Sequence, residues 1–73
     1  MFETLDAKEI CRLASEALAS SGVSEIRRLS VHQEHDTLKM SGTVASFYHK
    51  QLALETVRGV SRGMSILNRV QVD

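Results

Sequence analysis

The residues of this chain that could carry chemistry are three histidines, one cysteine, and scattered serines and carboxylates. His32 and His35 are three positions apart in or beside a predicted strand, so their side chains point to opposite faces. His49 is the third histidine, and no pair of carboxylates at a fixed spacing completes a metal site with any of the three. Cys11 has no second cysteine for a disulfide or a zinc cluster, and no serine lies in a nucleophile turn. The sequence therefore indicates no enzyme activity, no metal site and no cofactor.

Length and charge limit the classes of protein to consider. A chain of 73 residues has room for a single domain, here taken as residues 1–73. The formal net charge is zero, so no overall field attracts nucleic acid or anionic lipid. Residues 1–6 lack the basic start and apolar run of a signal peptide, and no stretch has the length of a membrane span. The sequence as written predicts a cytoplasmic protein.

The chain begins with a predicted helix and continues into a predicted hairpin. Asp6 is the predicted N-cap of the first helix, with Glu9 three residues later as its partner. The alternation within 26–34 predicts a first strand, although Ile26 is out of phase and belongs to the approach of that strand or to a bulge. A turn at His35–Thr37 then leads into the second strand.

The central stretch 38–46 combines a strand, a glycine and a helix start. Gly42 lies on the apolar face of the strand, where the missing side chain lets another group come close. Ser46 is the predicted N-cap of a second helix that runs to about Ser61. A last strand follows, in which Asn68 interrupts the apolar face and must find hydrogen bonds if it is buried.

These elements predict an α+β fold with the order α-β-β-α-β. Every apolar face is accounted for by one three-stranded sheet with two helices packed on one face. The chain contains no internal repeat, no low-complexity segment and no proline.

The pattern resembles the BON domain, a small module of bacterial envelope and osmotic-stress proteins. The resemblance lies in Leu-x-Met-Ser-Gly-x-Val-x-Ser at 38–46, in Ala53 of the second helix, and in Ile-x-Asn-x-Val-x-Val at 66–72. Gly42, Ser46 and Asn68 are its structural motif positions, and it covers about residues 5–73. The sequence departs from the family at Asp36–Thr37, which replaces the usual Asn-Gly or Asp-Gly and disfavours the tightest hairpin turn.

The resemblance implies a non-catalytic module that binds phospholipid or other macromolecules. It also implies the bacterial cell envelope, in contrast to the missing signal peptide. The partner is then a phospholipid surface, another protein or a second copy of the chain.

The second helix offers a candidate docking stripe. We expect its core face to contain Tyr48, Leu52, Ala53, Thr56, Val57 and Val60. Phe47 and Leu54 then lie on the outer side, with Lys50 and Arg58 at its edges. An exposed apolar pair bordered by cations suits a protein partner, a second copy or a lipid interface, although isolated exposed apolar residues are also common without a function.

A set of arginines supports an alternative function, a small nucleic-acid-binding module. Its members are Arg27, Arg28, Arg62 and Arg69, together with Arg58 of the second helix. Whether these side chains form one patch depends on the strand order, which the sequence leaves open. If they are dispersed, they are solvated charges balanced by neighbouring glutamates.

Overall fold

The computed structural model describes residues 6–73. Two sequence-based expectations, the missing signal peptide at the start and the beginning of the domain at Leu5, concern residues 1–5 and lie outside this range. The elements in chain order are α1 (Ala7–Ala19), α2 (Ser24–Arg27), β1 (Ser30–Glu34), β2 (Thr37–Val44), α3 (Phe47–Arg58) and β3 (Ser65–Val72). The predicted α+β fold is confirmed, with α2 as one short additional helix. The second predicted helix is α3.

The three strands form one mixed sheet in the order β1-β2-β3. β1 and β2 are antiparallel, with Glu34 opposite Thr37. β2 and β3 are parallel, in a register that runs from Thr37 opposite Ser65 to Val44 opposite Val72. The central strand is therefore β2, and β1 and β3 are the two edges.

The hydrophobic core lies between the helices and one face of this sheet. Side chains alternate along β2, so that Leu38, Met40 and Val44 are buried while their neighbours are more accessible. α1 contributes every third or fourth residue to the same core, as an amphipathic helix does. Within residues 6–73, the buried apolar residues are Ile10, Ala14, Leu18, Ile26, Leu29, Val31, Leu38, Met40, Val44, Ala53, Val57 and Val70.

The predicted first strand is shorter than expected, because its first residues form α2. The backbone closes helical bonds from the amides of Ile26 and Arg27 to the carbonyl of Val23. Ile26 is fully buried and belongs to α2, so its out-of-phase position reflects a turn of helix and neither the approach of a strand nor a bulge. The strand begins only at Ser30.

The hairpin between β1 and β2 is tighter than the sequence suggests. Only His35 and Asp36 separate the paired residues Glu34 and Thr37. His35 has a φ of +54°, a conformation that histidine adopts more readily than most side chains. The side chain of Gln33 donates a 2.7 Å hydrogen bond to the carbonyl of His35. The expectation of a looser turn is therefore wrong.

Candidate docking surface

The start of α3 is fixed by the N-cap that the sequence predicts. Ser46 has an extended backbone, and its hydroxyl accepts a 3.1 Å hydrogen bond from the amide of His49. The helix ends at Arg58, three residues before the predicted end at Ser61. The Ser61 hydroxyl donates a 3.2 Å bond to the Arg58 carbonyl, which satisfies a carbonyl that a longer helix would have bonded.

The rotation of α3 about its axis differs from the predicted rotation. Ala53 and Val57 are fully buried, so the helix turns this side directly onto the sheet. Tyr48, expected in the core, is 71% exposed. Leu54, expected on the wet side, is partly buried against the core. The predicted apolar pair of Phe47 and Leu54 is therefore not an exposed pair.

The outward side of α3 is polar along most of its length. The Glu55 carboxylate accepts a 2.8 Å hydrogen bond from the Gln51 amide and a 3.1 Å bond from the Arg58 guanidinium. Arg58 is thus paired with an acid of its own helix and is not a free cation at the edge of an apolar stripe. Lys50 is half-buried. The four-residue stripe that the sequence predicts does not form as a unit.

Apolar exposure is concentrated at the first turn of α3. Phe47 is 75% exposed and Tyr48 is 71% exposed, and we refer to these two residues as the aromatic pair. The ring of Tyr48 lies 5.7 Å from that of His49, tilted by 50°. Among residues 6–73, the only other exposed large apolar side chain is Leu67, on β3. The aromatic pair is therefore the main candidate for docking.

The Glu25 carboxylate of α2 contacts the chain on both sides of the aromatic pair. One oxygen of Glu25 accepts a 3.1 Å hydrogen bond from the amide of Ala45 and lies 2.7 Å from Nδ1 of His49. The Ala45 amide lowers the pKa of Glu25 most, and His49 lowers it further. Both contacts favour the ionised carboxylate, so α2 is tied to the start of α3 by a charge.

This tie predicts a specific loss of stability in acid. Because the pKa of Glu25 is lower in the folded chain than in the unfolded chain, its contribution is complete above the ordinary glutamate pKa. It disappears as the pH falls through the lowered pKa. Urea unfolding of wild type and Glu25→Gln across this range should show a difference in the free energy of unfolding that is constant near neutrality and shrinks in acid.

A second glutamate supplies the matched control. The pKa of Glu9 is also lowered, through its contact with Arg12 on the surface of α1, so Glu9→Gln removes an acid-sensitive pair that does not join two elements. Hydrogen exchange should quicken at the Ala45 and His49 amides in Glu25→Gln only. A stability difference between Glu25→Gln and wild type that does not change with pH would contradict the assignment.

The arginines of the alternative hypothesis do not form one patch. Arg27 and Arg28 lie beside the end of β2 where Glu25 bonds Ala45. Arg62 precedes β3, whose start pairs with the opposite end of β2. Arg69 lies on the sheet face away from the core, beside Ser41. The nucleic-acid hypothesis therefore lacks the gathered cations on which it depends.

The three motif positions have structural roles that the chain itself satisfies. Gly42 has a φ of +129° and lies close to Leu29. Ser46 caps α3, and Asn68 accepts a hydrogen bond from the amide of Val70. Across residues 6–73, no three His, Cys, Asp or Glu side chains are grouped closely enough to hold a metal ion. No helix in this range has the length and apolar character needed to cross a bilayer.

Comparison with known proteins gives no family for this chain. Neither a protein-family model nor a curated protein matches it.

Proposed function

We propose that this protein is a non-catalytic binding module that docks on the interfacial region of a phospholipid bilayer through its aromatic pair. The observation that carries the proposal is the exposure of two adjacent aromatic side chains at the first turn of α3. The BON-like sequence pattern supports a binding role of this kind. A protein partner, including a second copy, is the competing occupant of the same surface.

The chemistry of the pair suits the boundary between lipid headgroups and acyl chains. Tyrosine places an apolar ring beside a hydroxyl that can stay hydrated, and aromatic residues of this type concentrate at membrane interfaces. Phenylalanine adds an apolar group with no polar atom to desolvate. Because both residues belong to the first turn of one helix, they can enter the interface together.

The expected affinity is low. Complete burial of one large apolar side chain contributes about 1.5–3 kcal/mol, and two such side chains correspond to dissociation constants of about 10 mM to 50 µM before the cost of orientation. The zero net charge adds no strong attraction to anionic lipid. The module should therefore bind membranes firmly only when several copies or a linked domain act together.

The neighbouring Glu25–His49 contact supports positioning and not catalysis. The same carboxylate oxygen that contacts His49 is also bonded to the Ala45 amide. This double contact holds the junction between β2 and α3 in place. The proposed role of the contact is to hold the first turn of α3, and with it the aromatic pair, at a fixed orientation.

The prediction is tested with Phe47→Ser/Tyr48→Ser and vesicle co-flotation. Wild type should float with phosphatidylcholine–phosphatidylglycerol vesicles at high lipid concentration, and the double variant should lose about tenfold or more in binding, since each ring contributes more than 1 kcal/mol. Both substituted side chains are exposed, so stability should stay within about 0.5 kcal/mol of wild type.

Leu67→Ser is the matched control, because it removes an exposed apolar side chain from the sheet and leaves α3 intact. It should float like wild type. Wild type that does not float even at high lipid would refute the lipid proposal. If sedimentation then shows self-association that the double variant alone loses, the aromatic pair is an interface for a second copy.

A further inference from the structure

The two edges of the sheet are protected in different ways. An edge strand presents unpaired N–H and C=O groups that can add a strand from another molecule. On β1, the Cys11 thiol of α1 donates to the outward carbonyl of Val31 at 3.7 Å, so a helix lies over that edge. β3 is longer, with eight residues, and its outer edge has a different kind of contact.

The hydrogen bonds at the two ends of β3 show to which side each backbone amide of the strand points. The amide of Ser65 donates to Asp36 on the β2 side, and the amide of Asp73 donates to Val44 of β2. Amide directions alternate along a strand, and in a parallel pair every second residue bonds to the neighbouring strand. The outward donors of β3 are therefore those of Ile66, Asn68, Val70 and Val72.

One of these outward donors is already occupied by a side chain. The Oδ1 atom of Asn68 accepts a 3.0 Å hydrogen bond from the Val70 amide, and this is the side-chain hydrogen bond that the structure gives Asn68. The position lies in phase with Ile66, Val70 and Val72 on the face toward the helices, where a β-branched apolar residue would pack and would favour the strand. A polar residue here needs a reason other than packing.

We propose that Asn68 protects the outer edge of β3, which no other strand of residues 6–73 covers, against pairing with a second copy of this chain. The Asn68 carboxamide oxygen already accepts the hydrogen bond of the Val70 amide, a donor near the middle of the edge. A strand from a second copy must break this bond before it can pair with that amide. Proline and charged side chains, which commonly prevent an edge strand from pairing, are scarce on β3. The chain has no proline, and the strand contains one charged residue, Arg69.

A second copy is the relevant competitor because β3 is self-complementary. In an antiparallel pair with Asn68 opposite its own counterpart, Ile66 faces Val70 and Leu67 faces Arg69. This register continues the apolar face from one copy into the next and places no like charges opposite each other. Without the Asn68 carboxamide on the Val70 amide, the sheets of two copies can pair edge to edge into one continuous sheet.

The test is the association state of Asn68→Val, measured by sedimentation over a range of concentrations. Valine restores the apolar alternation and frees the Val70 amide. The two-fold pairing regains that bond twice, so the dimer constant should tighten by about tenfold or more relative to wild type. In the associated form, hydrogen exchange should slow at the outward amides of β3, including Val70.

Gln71→Val is the matched control, because it adds the same residue to the same strand at a position whose amide points to β2. It should associate like wild type. Equal association of Asn68→Val and Gln71→Val would overturn the proposal, as would a folded Asn68→Val with the wild-type mass. If Asn68→Val does not fold, Asn68→Thr frees the same amide with a polar side chain and must meet the same two criteria. Adding Leu67→Lys should reverse the association through repulsion of Arg69 in the opposing copy.

Discussion

Gly42→Ala is expected to destabilise the fold by about 2–5 kcal/mol, because it combines backbone strain with an overpacked contact. Gly42 has a φ of +129°, which side-chain-bearing residues rarely adopt, and a Cβ at this position would lie 2.5 Å from Cδ2 of Leu29. A domain of this size has a total stability of only about 4–11 kcal/mol. Urea unfolding of the variant should therefore show a large shift of the midpoint or a largely unfolded chain at room temperature.

Two other glycines and one double variant separate the causes. Gly63 has a φ of +87°, and a Cβ added there would meet no atom within 4 Å, whereas Gly22 has neither the unusual φ nor a close neighbour. Gly63→Ala should therefore cost strain alone, and Gly22→Ala should be nearly neutral. In a Leu29→Ala background the clash is absent, so Gly42→Ala measured against Leu29→Ala alone should cost only the strain. A Gly42→Ala variant as stable as Gly22→Ala would contradict this account.

Gly42 also shows how far the sequence alone could go. The alternation in 38–46 placed a residue without a side chain on the apolar face, and the inference that another group approaches closely there is confirmed by Leu29. The sequence did not predict that this group is Leu29. Ser30 pairs with Ser41 in the β1–β2 hairpin, so Leu29, one residue earlier, lies opposite Gly42. This register depends on the two-residue turn between the strands, which the sequence disfavours.

The candidate site was predicted less well than the fold, for a reason visible in α3. Apolar residues occur on more than one side of this helix, so several rotations bury a similar amount of apolar surface. Packing selects the rotation that brings the small Ala53 and Val57 against the sheet. That choice exposes Tyr48 and draws Leu54 inward. The hint available in the sequence was the tyrosine close after the capping serine, at the end of the helix where a hydroxyl can remain in water.

Asn68 illustrates a different limit. The sequence predicted that this residue needs a hydrogen-bond partner if buried, and the Val70 amide is that partner. Its significance depends on β3 being an edge strand, and strand order is a property of the whole sheet. The local sequence pattern predicted which face of the strand Asn68 lies on. It did not predict that β3 has no further strand of residues 6–73 on its outer side.

Ile26→Ala should be the second strongly destabilising substitution, with an expected loss of about 2–5 kcal/mol in the free energy of unfolding. Ile26 is fully buried and belongs to α2, which contacts α1, β2 and α3. Truncation leaves a cavity where these elements meet, and the short helix cannot collapse into it without moving Glu25 away from the start of α3. Equilibrium unfolding gives the loss, and hydrogen exchange at the Ala45 and His49 amides reports whether the Glu25 contacts loosen.

Ile66→Ala is the matched control, since it removes the same atoms from a partly buried position on β3 that does not involve α2. Its loss should be smaller, and exchange at the Ala45 and His49 amides should stay at the wild-type rate. Ile26→Val should cost about 0.5–1.5 kcal/mol, as removal of one methylene does in a well-packed core. If Ile26→Ala and Ile66→Ala lose the same stability and neither changes exchange at Ala45, Ile26 does not support the junction that holds the aromatic pair.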